Sequence, residues 1–103
     1  MAEFEALAKA SEIAPGTMKL VDLAGEKVVI ANVDGAFFAF SNDCTHVGGP
    51  LVEGELKGDT VTCPWHATIF NFKTGEPLEG PGHDPIPTYQ VRLEGDDIQI
   101  AKT

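Results

Sequence analysis

Cysteine is almost absent from this chain. Its 103 residues hold only Cys44 and Cys63, each in a short arm beside a histidine. A bridge between them would consume the best donors present, so no structural disulfide is expected. Positive charge is scarce too: seven Lys and Arg face 16 Asp and Glu, for a formal charge of -9. Nucleic acid and anionic lipid would both repel such a surface, so neither nucleic acid nor membrane is expected as a partner. The surplus of acid suits either a basic protein partner or simple solubility. No segment approaches membrane-spanning length, and the opening MAEFEALAKA has no basic start, apolar run or twin arginine of an export signal. The expected location is the cytoplasm. Repeats and low-complexity stretches are also missing, and the length fits a single domain over 1–103 that buries roughly two thirds of its unfolded surface.

What is present reads as strand. Turn signals recur at the spacing of a small all-β sandwich or barrel. Phe4 to Leu7 is an expected edge strand, and Ser11 to Gly16 a helical turn or loop closed by Pro15 and Gly16. Met18 to Leu23 and Lys27 to Val33 form a hairpin about Ala24, Gly25 and Glu26. Asp34-Gly35 between apolar runs is a strong hairpin signal, because glycine accepts positive φ and aspartate tolerates it, so Ala36 to Phe40 folds back on Lys27 to Val33. Thr60 to Thr62 and Ile69 to Phe72 are short strands. Tyr89 to Glu94 and Asp97 to Ala101 make the last hairpin, turning near Gly95-Asp96, with Val91, Leu93, Ile98 and Ile100 alternating as in half-buried strands. Phe37, Phe38 and Phe40 are read as interior packing.

The chemistry sits in two arms separated by sixteen residues, Cys44-Thr45-His46 and Cys63-Pro64-Trp65-His66. Thiolate is a soft donor and neutral imidazole suits iron, zinc or copper, so mixed Cys and His arms at short spacing point to a metal centre. A structural zinc ion accepts the same donors. Zinc fingers, however, group two Cys and then two His around a short helix, whereas each arm here is mixed and the intervening segment reads as strand and turn.

The pattern resembles that of Rieske iron-sulfur proteins, in which two Cys hold one iron of a 2Fe-2S cluster and two His the other. The likeness runs from about Gly25 to Ala101. It includes the Gly49-Pro50 turn after the first arm, the residues around Phe70 after the second, and a proline-rich third loop from Gly80 to Pro85. The resemblance implies an antiparallel β-sandwich or barrel carrying a small cluster-binding subdomain, about 43–84, inserted in a basal β domain. It implies one cluster held by Cys44, His46, Cys63 and His66. Around the cluster it places Val47, Gly48 and Gly49, whose backbone can approach sulfur closely. Pro64 stiffens the second arm, Trp65 shields, and Pro81 and His83 belong to the covering loop, with His83 outside the ligand set.

High-potential members place Ser two residues after the second His and Tyr four after it, each donating a hydroxyl hydrogen bond to the cluster. Thr68 and Phe70 stand at those positions here. Thr68 keeps a donor and Phe70 does not, so a potential in the lower half of the Rieske range of about -150 to +300 mV is expected.

In length and arrangement the chain is similar to the small ferredoxins that pass electrons from a reductase to a ring-hydroxylating terminal oxygenase. The resemblance therefore implies an electron carrier with those two proteins as partners, monomeric and without a catalytic site of its own. Two alternatives stay open: a small Rieske subunit of nitrite reductase or another oxidoreductase, and a zinc-stabilised interaction module.

Overall fold

The computed structural model describes residues 4–23, 25–42, 50–64, 68–79 and 85–102. The order is β1 (Glu5–Lys9), a 3-10 turn (Ala10–Glu12), β2 (Met18–Leu23), β3 (Glu26–Val33), β4 (Ala36–Ser41), a second 3-10 turn (Leu51–Glu53), β5 (Glu55–Lys57), β6 (Thr60–Thr62), β7 (Ile69–Asn71), β8 (Pro77–Glu79), β9 (Thr88–Glu94) and β10 (Asp97–Lys102). The pairings between these strands are antiparallel. Six strands form one sheet in the order β1-β10-β9-β4-β3-β2, curled into a nearly closed barrel. The other four, β5-β6-β7-β8, form a second sheet contributed by the chain between β4 and β9. The expected all-β class is the one observed.

Local chemistry explains the hairpins. At Asp34-Gly35 both residues adopt positive φ, 53° and 90°, so Val33 pairs directly with Ala36 in the two-residue turn whose twist matches the flanking strands. Buried Asn32 holds that turn: its Oδ1 accepts from the Gly35 amide at 2.9 Å, while its Nδ2 donates to the Ile13 carbonyl at 2.7 Å. At the same end of the barrel, the Asp97 carboxylate accepts a hydrogen bond from Lys9 at 2.8 Å and raises the lysine pKa, and the Lys9 backbone amide holds the Glu12 carboxyl below its usual range.

β3 is buried on both faces, which is why Val28 to Ala31 reads as an unbroken apolar run. Val28 and Ile30 face the barrel interior with Ala8, Ile13, Leu23, Ala39, Ile98 and Ile100. Val29 and Ala31 face the second sheet, where Phe40, Leu51, Val61, Cys63, Phe70, Phe72 and Ile86 complete a second core. Phe72 bridges the sheets, its ring 5.0 Å from Phe38 and 6.0 Å from Phe40.

Several sequence expectations shift. The first strand runs from Glu5 to Lys9 rather than from Phe4, and Glu26 pairs with Leu23 inside β3 instead of belonging to the turn. The helical turn comes one residue early, at Ala10–Glu12, and Phe72 lies just beyond β7. Leu93 is 48% exposed although its cross-strand partner Ile98 is fully buried, because β9 pairs with β4 only at Tyr89 and Thr88 and then diverges from it. Phe37 and Phe38 border the resulting cleft and are only half-buried.

Candidate metal centre

Of the four candidate ligands, Cys63 is the one among the described residues. It follows β6 directly, opposite Thr68, which precedes β7, and the Cys63 amide donates to the Thr68 carbonyl at 2.8 Å. The hairpin register continues below: Thr62 faces Ile69 and Val61 faces Phe70. Cys63 and Thr68 are therefore the last described pair of this hairpin before segment 65–67. Alternation along the two strands turns Val61, Cys63, Thr68, Phe70 and Phe72 inward, and all are buried. The Cys63 thiol is free and 1% exposed, in the same core as Leu51, Phe70 and Ile86. Pro64, next in the chain, is exposed.

Cys44, His46, Val47, Gly48, Gly49, Trp65, His66, Pro81 and His83 lie outside the described residues. What the structure shows is where their segments are rooted. Glu55 pairs with Thr62, and Ile69 pairs with both Thr62 and Glu79. The chain returning from segment 43–49, both roots of segment 65–67 and the outgoing root of segment 80–84 therefore sit at one end of the second sheet. The topology brings together there described roots of each segment that carries a candidate ligand or its expected cover.

Three residues that the motifs did not single out secure those roots. Buried Asn42 accepts hydrogen bonds from the amides of Leu51 and Val52, at 2.8 and 3.0 Å, closing segment 43–49 at its base. Gly54 lies against the Thr62 carbonyl so closely that a Cβ would overlap it. Gly75, at φ 84°, accepts from the Ile86 amide at 2.8 Å and packs on the Ile86 carbonyl, fixing the chain as it returns from segment 80–84. The available signal was weak: an Asn at a strand end two residues before a candidate ligand, and glycines beside three-residue strands.

The residues fit a cluster. Thiolate is a soft donor suited to iron, and Cys63 presents its sulfur from a buried position at the mouth of a hairpin. A match to the Rieske [2Fe-2S] domain spans residues 3–90.

The chain belongs to the Rieske [2Fe-2S] family.

The Rieske cofactor is one 2Fe-2S cluster, which decides against zinc where the donor types alone left the choice open. Among similar proteins, the ferredoxin component of biphenyl 2,3-dioxygenase from Rhodococcus jostii (strain RHA1) is 35% identical over 94 residues, covering 91% of this chain and 88% of that protein. Apoptosis-inducing factor 3 of Mus musculus is 39% identical over 85 residues, 82% of this chain, but the chain spans only 14% of that protein's length. The solved ferredoxin of carbazole 1,9a-dioxygenase from Nocardioides aromaticivorans IC177 superposes with a TM-score of 0.92 at 26% identity, covering 97% of this chain and 98% of that one. The all-β, barrel-like architecture is thus the fold class that the resemblance implied. No helix among the described residues is long and apolar enough to cross a membrane.

Proposed function

We propose that the chain is a one-electron carrier of the ferredoxin type, accepting electrons from a reductase and delivering them to a terminal oxygenase of the aromatic-ring hydroxylating kind. The observation that carries this reading is the free, buried Cys63 at the mouth of the β6–β7 hairpin in a Rieske domain, supported by relatives that are ferredoxin components of dioxygenases.

In this reading Cys44 and Cys63 hold one iron, His46 and His66 the other, within a cluster-binding subdomain of about residues 43–84. When bound, the cluster supplies a site that takes up and gives up a single electron. The protein's part is to hold and tune. Leu51, Phe70 and Ile86 exclude water from the Cys63 side, and Thr68 keeps a hydroxyl at the hairpin mouth where Phe70 offers none. Val47, Gly48, Gly49, Pro64, Trp65, Pro81 and His83 complete the surroundings of the cluster.

The domain acts on no substrate of its own; that chemistry belongs to the oxygenase. Four lysines among the described residues are already paired with acids, in Lys9–Asp97, Lys19–Glu12, Lys27–Asp22 and Lys73–Asp59. The surplus of negative charge thus remains at the surface to favour a basic docking partner over nucleic acid or membrane. The protein works as a monomer in the cytoplasm.

Stopped-flow mixing of the reduced protein with the terminal oxygenase of a biphenyl-type dioxygenase tests the assignment. Reoxidation of the carrier, with the protein purifying free of large partners, is the expected result. A protein that stays reduced and purifies bound to a flavin or sirohaem enzyme is instead a reductase subunit.

A further inference from the structure

Segment 43–49, with Cys44 and His46, leaves the barrel at Asn42, and the described chain resumes at Pro50. Asn42 is 8% exposed and bonded to β3 on one side and to the Leu51–Glu53 turn on the other. Its amide donates to the Lys27 carbonyl in β3 at 3.0 Å, its carbonyl accepts from the Leu51 amide at 2.8 Å, and its Oδ1 accepts from the Val52 amide at 3.0 Å. One side chain and its backbone thus tie the exit of the first arm to the start of the Leu51–Glu53 turn, whose leading amides have no partner within the turn itself.

The far end of that turn lies against the residue that precedes the second arm. The Gly54 amide donates to the Leu51 carbonyl at 2.9 Å. A Cβ at Gly54 would overlap the Thr62 carbonyl and approach the Leu51 carbonyl to 3.1 Å. Its φ of -80° is open to any residue, so lack of space requires glycine here and conformational freedom does not. Thr62 immediately precedes Cys63.

The geometry points to a brace in which Asn42 and Gly54 act as positioning residues, setting through the Leu51–Glu53 turn the separation between the exit of the first ligand arm and Cys63 at the root of the second. This rests on the reading of Cys44, His46, Cys63 and His66 as cluster ligands. Neither brace residue touches the cluster in this role. Each acts by fixing a backbone from which ligands depart. A turn that merely stabilised the barrel would need a cap at its start but no matched contact with Thr62 at its end.

The test uses the full chain purified with its cluster, as parent, Asn42→Ala, Asn42→Asp and Gly54→Ala. Three quantities are read: iron and labile sulfide per chain, the rate of iron loss to a chelator, and the EPR line shape of the reduced protein. Asn42→Ala is expected to lose iron at least about tenfold faster than the parent, the scale on which residues supporting metal ligands act, with an altered EPR line shape and an unchanged far-ultraviolet CD spectrum. Asn42→Asp keeps an acceptor for the Val52 amide and is expected to restore most of the retention. Gly54→Ala is expected to change the line shape by displacing Thr62 and with it Cys63. Unchanged iron loss and line shape in Asn42→Ala, whatever its melting temperature, overturns the brace and leaves Asn42 a simple cap. Should Gly54→Ala not fold, the two Asn42 variants decide alone. A parent protein without iron and sulfide overturns the cluster reading itself and the brace with it.

Discussion

Cys63 and Thr68 face each other across the mouth of the β6–β7 hairpin, joined by a 2.8 Å hydrogen bond from the cysteine amide to the threonine carbonyl. Both side chains point into the core shared with Phe70. The threonine hydroxyl is therefore held beside a proposed ligand by the same pairing that positions the ligand. Thr68→Val removes the hydroxyl at constant shape and is expected to lower the midpoint potential, with Thr68→Ser close to the parent. Hydrogen bonds to cluster sulfur favour the more negative, reduced state. Protein film voltammetry measures the difference, and equal potentials for parent and Thr68→Val would remove Thr68 from the cluster's surroundings.

Phe70 is fully buried in that core and offers no donor. Phe70→Tyr is expected to raise the potential if the new hydroxyl reaches the cluster, moving the protein up within the family span of about -150 to +300 mV. The same titration reads it, and a potential at or below the parent value would show that this position does not address the cluster.

Gly75 combines a φ of 84° with no room for a side chain against the Ile86 carbonyl, whereas Gly95, at φ 61°, has open space around it. Gly75→Ala is expected to destabilise the protein by more than about 1 kcal/mol, the upper end of what backbone entropy alone confers. Gly95→Ala should cost less, having only the dihedral penalty to meet. Thermal melts of the two variants side by side check the order, and equal losses would show that packing on Ile86 contributes nothing.

Docking driven by opposite charge weakens as salt screens it. With a formal charge of -9, the second-order rate of electron transfer to the proposed oxygenase partner is expected to fall as ionic strength rises from about 0.01 to 0.15 M, over which the Debye length shrinks from about 30 to 8 Å. Stopped-flow traces across that range measure the slope. A rate independent of salt would assign the acidic surface to solubility alone.

The parts of the fold that could be read from sequence are those governed by local chemistry. Asp34-Gly35 announces its own turn, and the β9–β10 hairpin follows from alternation, with Ile98 and Ile100 inward as expected. β5 and β8 left no such trace. Glu55-Leu56-Lys57 and Pro77-Leu78-Glu79 hold one or two apolar residues each and are strands because β6 and β7 offer them edges, where a proline is tolerated. Leu93 fails for a comparable reason, since its exposure depends on where β4 and β9 part. Cys63 stood out as a candidate because thiol and imidazole at short spacing have few other uses, and the structure adds its place at the end of β6. Asn42 was not, since its role depends on the amides of Leu51 and Val52, nine and ten residues on, which only the folded chain brings to it.

The most direct measurement is elemental and magnetic together: iron and acid-labile sulfide per chain, with electron-nuclear double resonance on the reduced protein grown with isotopically labelled histidine. Iron and sulfide in equal amounts, with couplings from two of the three histidines that persist in His83→Ala, is the predicted result. A single zinc ion without sulfide, or a cluster showing no histidine nitrogen, would contradict it.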